Sequence, residues 1–321
     1  MDRRRRRTRA LTAAVVVAAS TCLAADAAPP LRAMLWAAAD VDATRAFATA
    51  PVECLRQAPD PATAHAVEVG RAAFRAPTLL GGQAARARLT CESCHRSGRD
   101  NPDFSFPGAS GAPGTADVTL SLFSSHRGNG VHDPRPIPDL SGPRDRLKVA
   151  PVNLPEFIRG LIVEEFNGPP PSPATLAGLA AYVSALEPAA CPTAAHRPVT
   201  LAATFDDARR ALLAARAQLA RGDGPTSLLL IGSARAQLGL IDERYAGLPA
   251  DRARLRAADA ALTALQSAVR ERPSQASAQL SRWLAAAPAL EAALAAREAR
   301  SLFNPAQLAK PANRRLPPKA S

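Results

Sequence analysis

Lysine is nearly missing from this chain: of 40 basic residues, only Lys148, Lys310 and Lys319 are not arginine. Aromatics are scarce too, at 4%, with 2 Trp and 2 Tyr. A large β sandwich or barrel draws on aromatic and β-branched side chains, so that class is disfavoured. Beyond the N-terminal segment, no apolar run approaches the ~20 residues that span a bilayer. No basic stretch is interleaved with aromatics on which bases could stack, so nucleic acid is not an expected partner. What is present is a chain of 321 residues, 47% hydrophobic and 21% charged, which is the balance of a folded protein of about two domains. Its 30 prolines imply long ordered loops.

The net charge of +12 is uneven. Residues 1–27 carry +4, residues 28–200 are neutral, and residues 201–321 carry +8. The first segment reads as an export leader. Arg3 to Arg7 and Arg9 form a positive start, Leu11 to Ala19 a short apolar core, and Ala25-Asp26-Ala27 a small-x-small cleavage site. The expectation is therefore a signal peptide over residues 1–27 and a mature chain in the periplasm, where disulfides persist.

Of the 5 cysteines, Cys22 lies in that leader. Cys91-Glu92-Ser93-Cys94-His95 is a Cys-x-x-Cys-His run. On a short helical turn, two thiols three residues apart reach the two vinyl groups of one haem, and the next residue offers an imidazole to the iron. A zinc ribbon needs a second close cysteine pair, and Cys54 and Cys191 are far apart in sequence. A thioredoxin-like redox pair needs a βαβ setting that the flanks lack. The pattern points to one covalently attached haem c on Cys91 and Cys94, with His95 as axial ligand. Cys54 and Cys191 bracket the region and are expected to form a disulfide.

Two helices flank this motif in sequence. Pro61 to Arg75 has Val69 and Phe74 among its apolar positions, and Leu176 to Leu186 repeats apolar residues every three or four, with Ser172 or Thr175 to cap it. Gly70-x-x-x-Phe74, then Cys91-x-x-Cys94-His95, then Leu179-x-x-Tyr182 resembles the class I cytochrome c domain. The longer spacer before Cys91, with Pro77-Thr78-Leu79-Leu80-Gly81-Gly82, is similar to haem domains of the di-haem cytochrome c peroxidase and MauG-like group. The likeness covers roughly residues 60–190. It implies that the two helices cross closely at the glycine. The chain has a single Cys-x-x-Cys-His, whereas the di-haem enzymes pass electrons between two haems. The irregular stretch from Asn101 to Pro155 would wrap the haem, with Pro102 or Pro107 offering a carbonyl to the free ring nitrogen of His95.

The second iron ligand is open at this point. Class I cytochromes present a methionine after the haem motif, and here Met1 and Met34 both precede it. His126 or His132 in the loop from Ser124 to Asp133, Met34, or an open face are the alternatives, with His126 preferred because Leu122 and Phe123 can anchor it. His65 and His196 read as structural or linker residues. A histidine in place of methionine lowers the reduction potential.

Residues 201–303 show four amphipathic segments, centred on Leu212, Leu238, Leu262 and Leu284 and broken at Gly222, Gly247 and Pro273. Thr204-x-x-Asp207 and Ser274 are candidate caps, and Pro288 a candidate kink. The expected architecture is mostly α: a cytochrome c-like haem domain with long irregular loops over 28–200, then an antiparallel four-helix bundle, then a flexible tail over 304–321. The functional expectation is an electron-transfer haem protein, not itself an enzyme, with a redox partner of acidic surface. A membrane-surface contact is allowed by the arginines but not expected. A cytochrome c peroxidase-like enzyme and a haem-based sensor are the alternatives.

Overall fold

In a computed structural model, the structure describes residues 30–310 apart from 39, 127, 143–148 and 192–195. The chain is mostly helical, as expected. A short N-terminal helix, α1 (Ala43–Ala48), leads into strand β1 (Thr49–Pro51). Helix α2 (Pro61–Phe74) starts where Asp60 accepts bonds from the Ala62 and Thr63 amides and Pro61 fills the first turn. Two short helices follow, α3 (Gly82–Arg86) and α4 (Cys91–Cys94). In the irregular middle, β2 (Thr115–Ala116) pairs antiparallel with β3 (Arg135–Pro136). Helix α5 (Leu154–Gly160) runs into a π turn over Leu161–Glu165. Helix α6 (Pro173–Ala185) is capped by Ser172, whose hydroxyl accepts from Thr175 N. Strand β4 (His196–Pro198) pairs antiparallel with β1, so His196 belongs to a sheet rather than a linker.

The C-terminal third forms α7 (Leu201–Ala220), α8 (Gly224–Arg244), α9 (Pro249–Glu271) and α10 (Pro273–Ala295). Short loops join them, and the contacts run α7 to α8 to α9 to α10 and back to α7, so the four close into a bundle. Two expected caps move. The α7 cap is Thr200, which accepts from Ala203 N, because Leu201 is already buried in the core and the helix must begin a turn earlier than Thr204. Helix α10 begins at Pro273 without a side-chain cap, so Ser274 lies inside its first turn. It continues through Pro288, which is exposed. The start of the expected flexible tail is folded: α11 (Pro305–Leu308) is capped by Asn304 and seats Leu308 against the α1 region. Residues 311–321 and the expected leader over 1–27 lie outside the described residues.

Two helix packings position everything else. Helices α2 and α6 cross where Gly70 meets Gly178. A Cβ at Gly178 would lie 2.8 Å from Val69 Cγ1 and 2.9 Å from Gly70 N, so only glycine permits that approach. Phe74 and Tyr182 then meet with ring centroids 5.1 Å apart, as the sequence pattern anticipates. The opposite face of α2 belongs to the bundle: Val69 and Ala72 join the core formed by Leu212, Leu230, Ile231 and Leu238. Ser233 Oγ donates to Ala72 O across this contact at 2.7 Å.

Candidate haem-attachment site

The turn at α4 is held from both ends. Thr90 and Ser93 form a capping box at its start, with Thr90 N donating to Ser93 Oγ at 3.0 Å. At its end His95 N donates to Cys91 O, and Ser97 and Gly98 adopt positive φ of 53° and 73° to turn the chain away. Gly98 is required there, because any Cβ would overlap the buried Leu186 side chain.

Cys91 and Cys94 are free and half-buried, and both pack on an apolar cluster that includes Phe74, Leu79, Leu89, Phe106, Leu179 and Tyr182. Burial pushes both thiols up to about 12. A dithiol redox catalyst needs a depressed thiol pKa, so these cysteines are unlike an activated exchange pair. Cys54 and Cys191 are paired, with Cα atoms 4.7 Å apart and Arg99 Nη1 3.7 Å from each sulfur.

His95 is fixed by its other ring nitrogen. Nδ1 lies 3.0 Å from Pro138 O. A carbonyl only accepts, so Nδ1 carries the proton and Nε2 keeps its lone pair. Pro138 therefore replaces Pro102 and Pro107 as the orienting carbonyl. Its neighbour Asp139 is gripped by Arg99 at 2.6 Å, and Leu140 N donates to Gly98 O, which together lay the 138–140 segment against the turn. Burial pulls the imidazole down to about 4, outweighing the Pro138 carbonyl and Asp139, so the ring is neutral at physiological pH.

The other candidates separate clearly. His126 is exposed, and its Nδ1 lies 3.0 Å from Asn167 Oδ1. Asn167 organises the whole turn: its Nδ2 donates to Phe123 O, and Oδ1 accepts from Ser125 Oγ at 2.8 Å. Phe123 is buried between Phe106 and Phe166, with centroids 5.2 and 5.4 Å away. His132 is exposed and sits near Asp117, whose carboxyl it helps to lower. Met34 is fully buried in a separate cluster with Phe47, Leu302 and Leu308, apart from the apolar residues around Cys91 and Cys94. His65 on α2 faces Gln218 of the bundle, with its Nε2 3.0 Å from Gln218 Nε2.

One feature was not anticipated. Behind the motif lies a buried ion network. Glu53 accepts from Arg71 Nε at 2.6 Å, Arg75 Nη2 at 2.8 Å and Tyr182 Oη at 2.6 Å. Burial alone would raise the Glu53 carboxyl, but the two guanidiniums and the phenol outweigh it and hold it far below the usual carboxylate range. Arg75 also reaches Glu92, the residue after Cys91, at 3.2 Å, and Arg71 reaches Asp207 on α7 at 2.7 Å. The sequence held a signal for this: Arg71 on α2 and Arg75 just past its end sit one turn apart, with only Ala72, Ala73 and Phe74 between them.

No family model, curated protein or solved structure matches the chain. Among the described residues, no three or more His, Cys, Asp or Glu side chains gather to hold a bare metal ion. None of the described helices is long and apolar enough to cross a membrane. The donor set at the α4 turn does fit a haem: two free thiols on one turn, and beside them a neutral imidazole with an unengaged Nε2.

Proposed function

We propose that this chain is an exported mono-haem c-type cytochrome that transfers single electrons. The observation that carries the reading is His95, whose Nδ1 is committed to Pro138 O while Nε2 is left over beside two free thiols. Ligating histidines recur with this outer-shell anchor, which fixes both tautomer and ring orientation. In this reading Cys91 and Cys94 hold haem c through thioethers and His95 Nε2 ligates the iron. A haem so held supplies one-electron exchange between ferric and ferrous states. The close crossing of α2 and α6, with Phe74 on Tyr182, supports a class I cytochrome c-like domain around it.

The chain's own contribution is to keep His95 neutral and aimed, and to line the site with apolar side chains. His126 is the distal ligand of this reading, because Asn167 holds its Nδ1 as Pro138 holds that of His95. Among the described residues, no comparable anchor is seen for His132. Two imidazoles favour a lower potential than an imidazole and a thioether. The Cys54–Cys191 pair suits the oxidising periplasm to which residues 1–27 would direct the chain. The arginine-rich bundle would meet a redox partner of acidic surface. One observation favours a peroxidase-like or sensor alternative: both loop histidines are exposed, so water and small ligands reach that side.

The test is to express the chain with a cytochrome maturation system. The expected product is coloured, heavier than the mature polypeptide by one haem, and low-spin in the ferric state. Colourless protein of polypeptide mass overturns the proposal. High-spin ferric haem that shifts on adding cyanide or peroxide selects the enzyme or sensor alternative.

A further inference from the structure

Buried ion pairs are costly, and a well-packed apolar cluster of the same volume often serves stability as well or better. The network of Glu53, Arg71, Arg75, Glu92 and Asp207 therefore invites a role beyond holding helices together. Its position is specific. Glu92 stands between the two thiols of the motif and takes the Ser97 amide on Oε1 at 2.8 Å. Arg75 follows Phe74, whose ring is 6.4 Å from that of His95. The far end is anchored on the bundle at Asp207. Arg71 and Arg75 are 4% and 6% exposed, so these charges act through a medium of low polarity, where Coulombic effects carry further than in water. Arg96, also close to Glu92, spends its donors on the Ala46 and Thr49 carbonyls at 2.7 and 2.8 Å.

We infer that this buried network sets the reduction potential of the haem site, and that the bundle's role includes completing it through Asp207. The inference rests on the haem reading above. Fixed negative charge near the iron favours the ferric state and lowers the potential, while fixed positive charge does the reverse. Each network member thus acts with the sign of its charge. This gives the C-terminal third an electrostatic function besides packing and docking.

The test is a redox titration of the full-length holoprotein with mediators, alongside a thermal melt of each variant. Glu53→Gln and Asp207→Asn remove negative charge and are expected to shift the midpoint upward. Arg71→Gln removes positive charge and is expected to shift it downward. Tyr182→Phe removes a hydrogen bond but no charge, so it lowers the melting temperature with little shift of the midpoint. Asp207 is more exposed than Glu53, at 15% against 9%, so Asp207→Asn keeps the upward arm readable if Glu53→Gln does not fold. Shifts of one common direction, or none, in variants that carry haem would overturn the inference and leave the haem reading standing. Absence of haem from the wild-type chain would instead overturn the reading beneath it.

Discussion

Gly70→Ala puts the helix crossing to its hardest test. A Cβ at Gly70 would lie 2.8 Å from Leu179 N and closer still to the Gly178 carbonyl, against 3.4–4 Å for ordinary contact. These are backbone atoms, so no rotamer change relieves the overlap. The helices must separate by roughly an ångström in a close-packed region. That separation draws Phe74 off Tyr182 and pulls Arg71 and Arg75 away from Glu53. Overpacking costs about 1–3 kcal/mol, and a backbone-on-backbone clash belongs at the upper end. Loss of the aromatic pair adds about 1 kcal/mol, while alanine's better helix propensity returns about 1 kcal/mol. The expected net loss is about 3 kcal/mol, read from urea unfolding followed by circular dichroism. Gly239→Ala is the matched control. It lies inside α8 with nothing within 4 Å of a new Cβ, so it is expected to gain about 0.5–1 kcal/mol. If Gly70→Ala were as stable as Gly239→Ala, the close crossing would be wrong.

Three further outcomes are expected. Because the folded Glu53 carboxyl titrates below its unfolded value, its contribution to stability is fully present above about pH 5 and lost as pH falls through the unfolded value near 4 and below; Glu53→Gln should flatten the acid limb of an unfolding-versus-pH curve, and an unchanged limb would count against the network. Cys54→Ser opens a closure spanning 137 residues, for which loop entropy sets a ceiling of about 5 kcal/mol and typical losses run about 2–4 kcal/mol; a denaturant midpoint equal to that of the intact protein would refute the pairing. In holoprotein, His126→Ala should convert low-spin ferric haem to high-spin, Asn167→Ala should give a mixture by releasing the imidazole, and His132→Ala should leave the spectrum alone; a low-spin spectrum in His126→Ala removes that residue as ligand.

Local features were readable in the sequence and distant partners were not. The four bundle segments announce themselves because each apolar stripe and its breaker lie within one short window, as with Leu238 and Gly247. The Cys91–His95 run is equally local, and so is the glycine-to-aromatic spacing that predicts the α2 and α6 crossing. The carbonyl that orients His95 comes from Pro138, 43 residues away, and nothing near the motif distinguishes it from Pro102 or Pro107. Thr204 resembled a cap because its window contains Asp207, yet burial of Leu201 draws the helix start back to Thr200. Asp207 is instead spent on Arg71. Met34 could be weighed as a ligand only while its place was unknown; the cluster with Leu302 and Leu308 is formed from the two ends of the described chain.

The boundary near residue 200 marks a change of sequence pattern more than a change of core. Helix α2 has two working faces. Gly70 and Phe74 serve α6, while Val69, Ala72 and Glu68 serve the bundle, Glu68 through Arg210 Nε at 2.8 Å. Thr226 of α8 likewise bonds Ser172 at the start of α6, with oxygens 2.6 Å apart. The helix that contacts the Cys91–His95 turn through Phe74 and, just past its end, Arg75 is therefore clamped on both sides, and movement of the bundle cannot leave it in place. A C-terminal third that served only as a docking appendage would have no need to set Asp207 against the buried Arg71 behind that turn. Its attachment through α2 and Asp207 makes sense if the bundle governs the shape and charge of the site as well as the surface around it.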